Sequence, residues 1–270
     1  MPSANLVTLL PSAMPGIDAT MAETSRHFAR HFHDQFGIGL LLRGGQRSLS
    51  GRGIVEALPG DVITVNPGEV HDGAPLDDTG RTWRMLYLDP SILVEAADEL
   101  QCPVPSEIEF THPVICSPAL GNSFKHLFAL AAAQRPSAPN LPLEMALCLL
   151  LEQIIGHHST HRVRPQTSGP IKRAKARIDD DPALNITLSA LAAEAGLSRF
   201  QLLRSFAREV ALPPHAYLIQ RRTMLARSLI SSGLGLADAA IQAGFADQSH
   251  MNRAFKRFFG YTPARFAAAR

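Results

Sequence analysis

The chain has 270 residues, enough for one large domain or two ordinary ones with a proper core. With 46% hydrophobic and 19% charged residues it has a globular composition, and no run reaches the roughly 18 apolar residues needed to span a bilayer, so no membrane partner is expected. The net charge of +2 hides an asymmetry: residues 166–270 hold 15 Lys and Arg against 7 Asp and Glu, net +8, while residues 1–165 hold 11 against 17, net −6. A basic C-terminal module behind an acidic N-terminal one suits a polyanion partner at one end only.

The opening MPSANLVTLLPSAMPG lacks a basic segment and is interrupted by prolines, so no signal peptide is expected. Three cysteines, Cys102, Cys116 and Cys148, are odd in number and lack CxxC spacing. They argue against a disulfide framework or a zinc knuckle and for buried or inert thiols in a cytoplasmic protein.

Residues 26–89 hold short β-like runs at 36–42, 46–49, 61–65 and 84–88, separated by turn signals at Gly44-Gly45, Pro59-Gly60 and Pro67-Gly68. Several short strands at close spacing predict a sandwich or barrel. His31 and His33, two apart on a strand, point to one face, and His71 can join them. Three readings of these histidines stand: a metal site, the wall of a ligand pocket, or structural positions at a barrel rim. Trp83, the single tryptophan, lines the same barrel or belongs to its core. Residues 117–157 then read as two helices broken at 135–140, the second apolar on more than one side. The polar, proline-containing stretch HHSTHRVRPQTS at 157–168 reads as an interdomain linker.

From residue 171 onward the pattern is almost wholly helical. A helix over 171–180 precedes Asp181-Pro182. Thr187 or Ser189 caps a short helix ending at Gly196, and Ser198 caps the next, through Val210. Pro213-Pro214 restarts the chain as a long helix to Ser231. Helices over 236–243 and 248–259 follow, with turns at Gly244 and Gly260 and a last short helix opening at Thr262-Pro263.

Within this region the chain repeats itself. Residues 188–214 and 236–263 align at an offset of 48, widening to 49. Ala192 falls on Ala240, Gly196 on Gly244, Arg204 on Arg253, Phe206 on Phe255 and Pro214 on Pro263. Each copy is a short Ala-rich helix, a glycine turn and a longer helix, the outline of a helix-turn-helix. At about 100° per residue, Met251, Phe255 and Phe258 share one face, while Ser249, His250, Arg253, Lys256 and Arg257 spread across the other. In the first copy Leu202 and Phe206 face inward and Phe200, Gln201, Arg204 and Arg208 face out. Arg204 and Arg253 suit bidentate contacts to guanine, Gln201 suits adenine, and Phe200 a thymine methyl. Arg208, Lys256 and Arg257 lie at the flanks and suit phosphates.

These residues resemble the C-terminal region of the AraC family of bacterial transcription regulators. The resemblance spans residues 171–270 and is most specific over ADAAIQAGFADQSHMNRAFKRFFGYTPARF. The family pattern is kept at Ala240, Gly244-Phe245, Ser249, Arg253, Phe255-Lys256, Gly260, Thr262-Pro263 and Phe266. It is broken at Met251, where the family has Phe, and at Ala267, where it has Arg. The helix carrying Arg221-Arg222 and Leu225 matches the family's linker helix. In the N-terminal half, residues 30–34 (RHFHD) and 59–73 (PGDVITVNPGEVHDG) resemble the two half-motifs of a cupin barrel, the effector domain of many members. The carboxylate that follows the histidine pair in enzymatic cupins is missing, since Gln35, Phe36 and Gly37 stand there.

The resemblance implies an α+β chain: a cupin-like effector-binding and dimerisation domain over 1–160, a linker over 161–170, and a double helix-turn-helix domain over 171–270. It implies a transcription regulator that binds double-stranded DNA and a small-molecule effector, forms a homodimer through the helices after the barrel, and meets RNA polymerase if it activates. No metal, other cofactor or catalytic residue is expected, and His31, His33, His71 and Trp83 become the candidate effector contacts. The rival is a metal-dependent cupin enzyme fused to a helical domain.

Overall fold

The computed structural model describes residues 6–11, 14–100, 108–133, 141–160 and 169–269. It consists of two compact units, one ending and the other beginning between residues 160 and 169.

The N-terminal unit runs β1 (Leu6–Leu10), β2 (Ile17–Thr24), β3 (Phe28–His31), β4 (Phe36–Arg43), β5 (Gln46–Ser50), β6 (Gly53–Ala57), β7 (Val62–Val65), β8 (His71–Pro75) and β9 (Arg81–Leu88). Then come α1 (Pro90–Glu99), β10 (Glu109–Phe110), β11 (Val114–Ile115), α2 (Pro118–Ala133), α3 (Leu141–His158) and β12 (Ser159–Thr160). A six-stranded antiparallel sheet in the order β1-β2-β9-β4-β7-β11 faces a four-stranded one in the order β3-β8-β5-β6.

The larger sheet is buried on both faces, and the period of two decides what each face holds. Phe36, Ile38 and Leu40 of β4 and Leu86 and Leu88 of β9 join Phe124, Phe128, Leu150 and Ile154 of α2 and α3 in one core. On the opposite face Leu41, Ile63 and Met85 pack with Trp83 and Tyr87. Gly37 and Gly39 open that face: a β-carbon on Gly39 would overlap the Met85 sulfur, and one on Gly37 would stand 2.9 Å from the Met85 methyl. The glycine-interrupted run FGIGL is thus a strand that makes room for its neighbour across the ladder.

The four strands expected at 36–42, 46–49, 61–65 and 84–88 are present as β4, β5, β7 and β9. The helix pair expected over 117–157 is also present; its break at 135–140 lies outside the described residues. Strands β1, β2, β6, β8, β10, β11 and β12 and helix α1 are not among the expected elements. The linker expected from residue 157 begins later, because His157 and His158 close α3 and β12 pairs with β10. The rest, residues 161–168, lies outside the described residues. Cys116 and Cys148 are exposed free thiols rather than buried ones, and Cys102 lies outside the described residues.

The C-terminal unit is α4 (Gly169–Asp180), α5 (Leu188–Ala195), α6 (Arg199–Val210), α7 (Pro214–Ser231), α8 (Leu236–Gln242), α9 (Gln248–Phe259) and α10 (Pro263–Ala268). Its boundaries follow local chemistry. Thr187 Oγ1 accepts the Ala190 N–H, Asp247 Oδ1 accepts the His250 N–H, and Gly196, Gly244 and Gly260 take positive φ at the turns. Ser198 and Gln201 form a reciprocal capping box at the start of α6. Asp179 ties α4 to α7: it accepts the Tyr217 hydroxyl at 2.6 Å and pairs with Arg221 at 3.0 Å and Lys175 at 2.6 Å. Arg222 of α7 donates to the Pro182 and Leu184 carbonyls and holds the α4–α5 connection.

Candidate nucleic-acid interface and effector site

Helices α6 and α9 are the second helices of the two repeats. Leu202 and Phe206 in α6, and Met251, Phe255 and Phe258 in α9, are buried. Met251 is fully enclosed, so it fills the place where the family pattern has Phe; an unbranched thioether adapts to that volume. Opposite these residues, Phe200, Gln201, Arg204 and Arg208 of α6 and Ser249, Arg253, Lys256 and Arg257 of α9 are exposed. Phe200 is 73% exposed, a large ring that the domain's own core does not use. Arg204 and Arg253 carry no ion pair among the described residues, whereas Arg208 pairs with Glu209 at 3.3 Å.

Two residues on these helices have local duties. Gln201 Oε1 accepts the Ser198 N–H at 2.9 Å, so a two-point contact with adenine needs this cap to open. His250 is half-buried with its ring edge-on to Phe245 at 5.1 Å.

In the N-terminal unit, β3 pairs with β8 so that His31 stands opposite His71. His33 lies two residues on, past the end of the strand, yet its ring returns to the other two. The ring centroids are 4.4 Å apart for His31–His71, 5.0 Å for His31–His33 and 5.3 Å for His33–His71. His31 Nδ1 lies 2.8 Å from the Ala29 carbonyl and His71 Nδ1 3.0 Å from the Glu69 carbonyl. A carbonyl only accepts, so both Nδ1 atoms carry the proton and both Nε2 atoms carry the lone pair.

Burial is the first cause that depresses the basicity of all three rings. It brings His31 down to about 3, with the neighbouring His71 adding to the effect. His33 is held well below its ordinary value, with His31 and His71 contributing after burial. His71 is lowered less, because the Glu69 carbonyl and the Glu69 and Asp72 charges oppose burial. At neutral pH the trio is uncharged.

His71 also lines a shallow cleft that encloses about 40 Å³ and opens to solvent, between β5, β6 and β8 on one side and β7 on the other. Its walls mix Gln46, Ser48 and Glu69 with Val55, Ile63 and Val65. Glu69 accepts from the Gly51 and Asn66 N–H groups, which holds the turn before His71.

The model of the AraC-like ligand binding domain matches residues 15–151, and that of a helix-turn-helix domain matches residues 191–269. The chain belongs to the AraC family. It is similar to the HTH-type transcriptional regulator YbfI of Bacillus subtilis, 31% identical over 83% of this chain and 81% of that protein. Similarity to the virulence regulon transcriptional activator VirF of Yersinia enterocolitica is 28% identity over 55% of this chain and 56% of that one. Among solved structures, ToxT of Vibrio cholerae aligns over 95% of this chain and 98% of its own, with a TM-score of 0.54 at 11% identity, a likeness of fold alone. ToxT has also been solved with an unsaturated fatty acid bound, and that structure aligns at a TM-score of 0.52 and 12% identity over 97% and 94%.

This AraC-family chain is therefore a transcription regulator with a ligand-binding domain and a helix-turn-helix DNA-binding domain. No described helix is long and apolar enough to cross a membrane.

Of the four residues expected to meet an effector, three converge and the fourth stands apart. Trp83 packs edge-on to Phe28 at 5.9 Å and beneath the Arg81 guanidinium at 4.8 Å; of the four, His71 is the one that lines the cleft. Sequence reading missed Arg81 and Tyr87. Arg81 is 1% exposed, donates to the Gly73 carbonyl at 3.0 Å, and is pulled down to about 10 by burial. Tyr87 lies 4.8 Å from the His33 ring. Both share the parity of Trp83 and Met85 on β9, a signal legible only once that face is known to be interior.

Proposed function

We propose that this regulator places α6 and α9 in successive major grooves of double-stranded DNA, Arg204 and Arg253 reading base edges and Arg208, Lys256 and Arg257 holding phosphates. The observation that carries this reading is the equivalence of Arg204 and Arg253. They occupy matching positions in two repeats, on exposed faces opposite buried aromatic residues, without an ion pair among the described residues. A guanidinium left without an acidic partner twice at the same place suits guanine O6 and N7. Phe200, Ser249, His250 and Gln201 would complete the contact surface. The cytoplasm is where such a protein meets its DNA, and RNA polymerase is a further partner if it activates.

In this reading a small organic effector enters the cleft beside His71, and the protein acts by binding rather than catalysis. One ToxT structure holds an unsaturated fatty acid; here the wall sets Val55, Ile63 and Val65 beside Gln46 and Ser48, which suits a small molecule with both apolar and polar parts. The effector would shift the population of arrangements competent for paired DNA sites. A second copy of the chain would supply the pairing through α3, where Met145 and Leu149, one turn apart, are 55% and 51% exposed.

The test is selection of binding sites from random duplex DNA by the full chain. Enrichment of two short elements about 10 base pairs apart, centre to centre, is expected for two tandem reading helices. Recovery of duplexes with no shared element would overturn it.

A further inference from the structure

We propose that His31, His33 and His71 bind one divalent first-row transition-metal ion. One ring nitrogen from each of the three lies within 4.8 Å of those of the other two; His31 and His33 are buried and His71 is half-buried beside the cleft. His31 and His71 turn two ring nitrogens with lone pairs toward the same point, and a ring nitrogen of His33 lies beside them. The tautomers of two are already set for metal. With Nδ1–H of His31 and His71 donating to the Ala29 and Glu69 carbonyls, Nε2 is the atom left to coordinate. Anchoring the far ring nitrogen in this way is how ligating histidines are oriented and made more basic toward the ion.

The spacing permits closure. An ion held at about 2.1 Å by tetrahedral nitrogens keeps them about 3.4 Å apart. Small rotations about the side-chain bonds, moving the rings together by about an ångström, complete that geometry. The backbone at all three is held, His31 and His71 opposite each other in the ladder and His33 by the Gly68 N–H that its carbonyl accepts, so the adjustment falls to the side chains.

The donor set indicates the class of ion. Three imidazoles without a carboxylate suit zinc, iron, cobalt, nickel or copper and disfavour magnesium or calcium. The nearby acids are engaged elsewhere: Glu69 with the Gly51 and Asn66 amides, Asp72 with the Leu49 N–H, and Asp89 with the Gln35 amide. Three ligands leave a position for water or for a donor atom of a molecule in the cleft, since His71 belongs to both trio and cleft. Only this last point rests on the effector reading, and a titration without effector tests the metal alone.

The experiment is a cobalt(II) titration of chelator-treated full-length protein, followed by visible absorption and equilibrium dialysis. One ion per chain, with the strong d–d bands of four- or five-coordinate cobalt, is expected. His31→Gln and His71→Gln should each weaken binding at least tenfold. A His157→Gln/His158→Gln variant should bind as the wild type does, which separates the trio from the histidine pair closing α3. Absence of stoichiometric binding, or only the weak spectrum of hydrated cobalt, would overturn the proposal. So would loss of binding in the α3 variant. If a trio variant fails to fold, the wild-type spectrum together with the α3 variant decides between the two histidine sets.

Discussion

Gly244 lies directly against Ala183: a β-carbon there would stand 2.6 Å from the Ala183 carbonyl oxygen and 2.8 Å from its α-carbon. Its counterpart in the first repeat, Gly196, would meet nothing nearer than an Arg173 nitrogen at 4.0 Å. Both have positive φ, 80° and 67°. The repeats therefore use glycine for different sets of reasons, backbone conformation alone in the first and conformation plus close approach in the second. Gly196→Ala should cost about 1–2 kcal/mol, the strain of a left-handed non-glycine residue. Gly244→Ala should cost clearly more, because a backbone carbonyl cannot swing away as a flexible side chain can. Urea denaturation of the full chain, followed by helical circular dichroism, compares them; equal losses would show that the Ala183 contact yields without cost.

Arg204→Ala and Arg253→Ala should each lower affinity for a selected site by about 1–3 kcal/mol and relax base preference there. Lys256→Ala should weaken specific and random duplexes alike and flatten the salt dependence by about one unit of slope. Fluorescence anisotropy at several salt concentrations checks both. If Arg253→Ala weakens random DNA as much as the selected site, Arg253 is a phosphate contact.

The exposed stripe on α3 leads to a third outcome. Met145→Glu/Leu149→Glu places two charges where a second copy would pack, so sedimentation should show a shift toward monomer. Binding to a paired site should fall further than binding to a single one, through loss of avidity. A wild-type protein that is monomeric at all accessible concentrations would remove α3 from the mechanism.

A fourth concerns acid. His31, His33 and His71 have depressed pKa values in the folded chain, His31 down to about 3 from 6.5. Between those values the unfolded chain binds more protons than the folded one, so stability rises with pH across the window and is lost as pH falls below about 6.5. Trp83 is the only tryptophan and lies in β9, so its fluorescence reports the N-terminal unit. In chelator, its melting temperature should drop between about pH 6.5 and pH 5, before most carboxylates titrate. A flat profile over that range would mean that the trio is hydrated and protonates without unfolding.

The helical half was legible in the amino-acid sequence because its rules are local. Thr187 and Ser198 cap within three residues, Gly196 and Gly244 turn the chain where they stand, and the 3.6-residue period assigns Phe206 and Phe255 to the core. The strand half was legible only in part. Strand β4 announced itself by composition, but β2 carries Asp18, Thr20 and Thr24 buried among its apolar residues, a pattern without alternation to find. The purpose of Gly37 and Gly39 depends on Met85, about fifty residues away. His31, His33 and His71 could be picked out as a set, but not how their rings meet, which the pairing of β3 with β8 decides for His31 and His71. That pairing, with the Ala29 and Glu69 carbonyls, settles which ring nitrogens of His31 and His71 carry the lone pair. Caps and helix faces are decided by neighbours a turn away, which one sequence contains. The approach of the His31 and His71 rings depends on strand register, and that is set by contacts far apart in the chain.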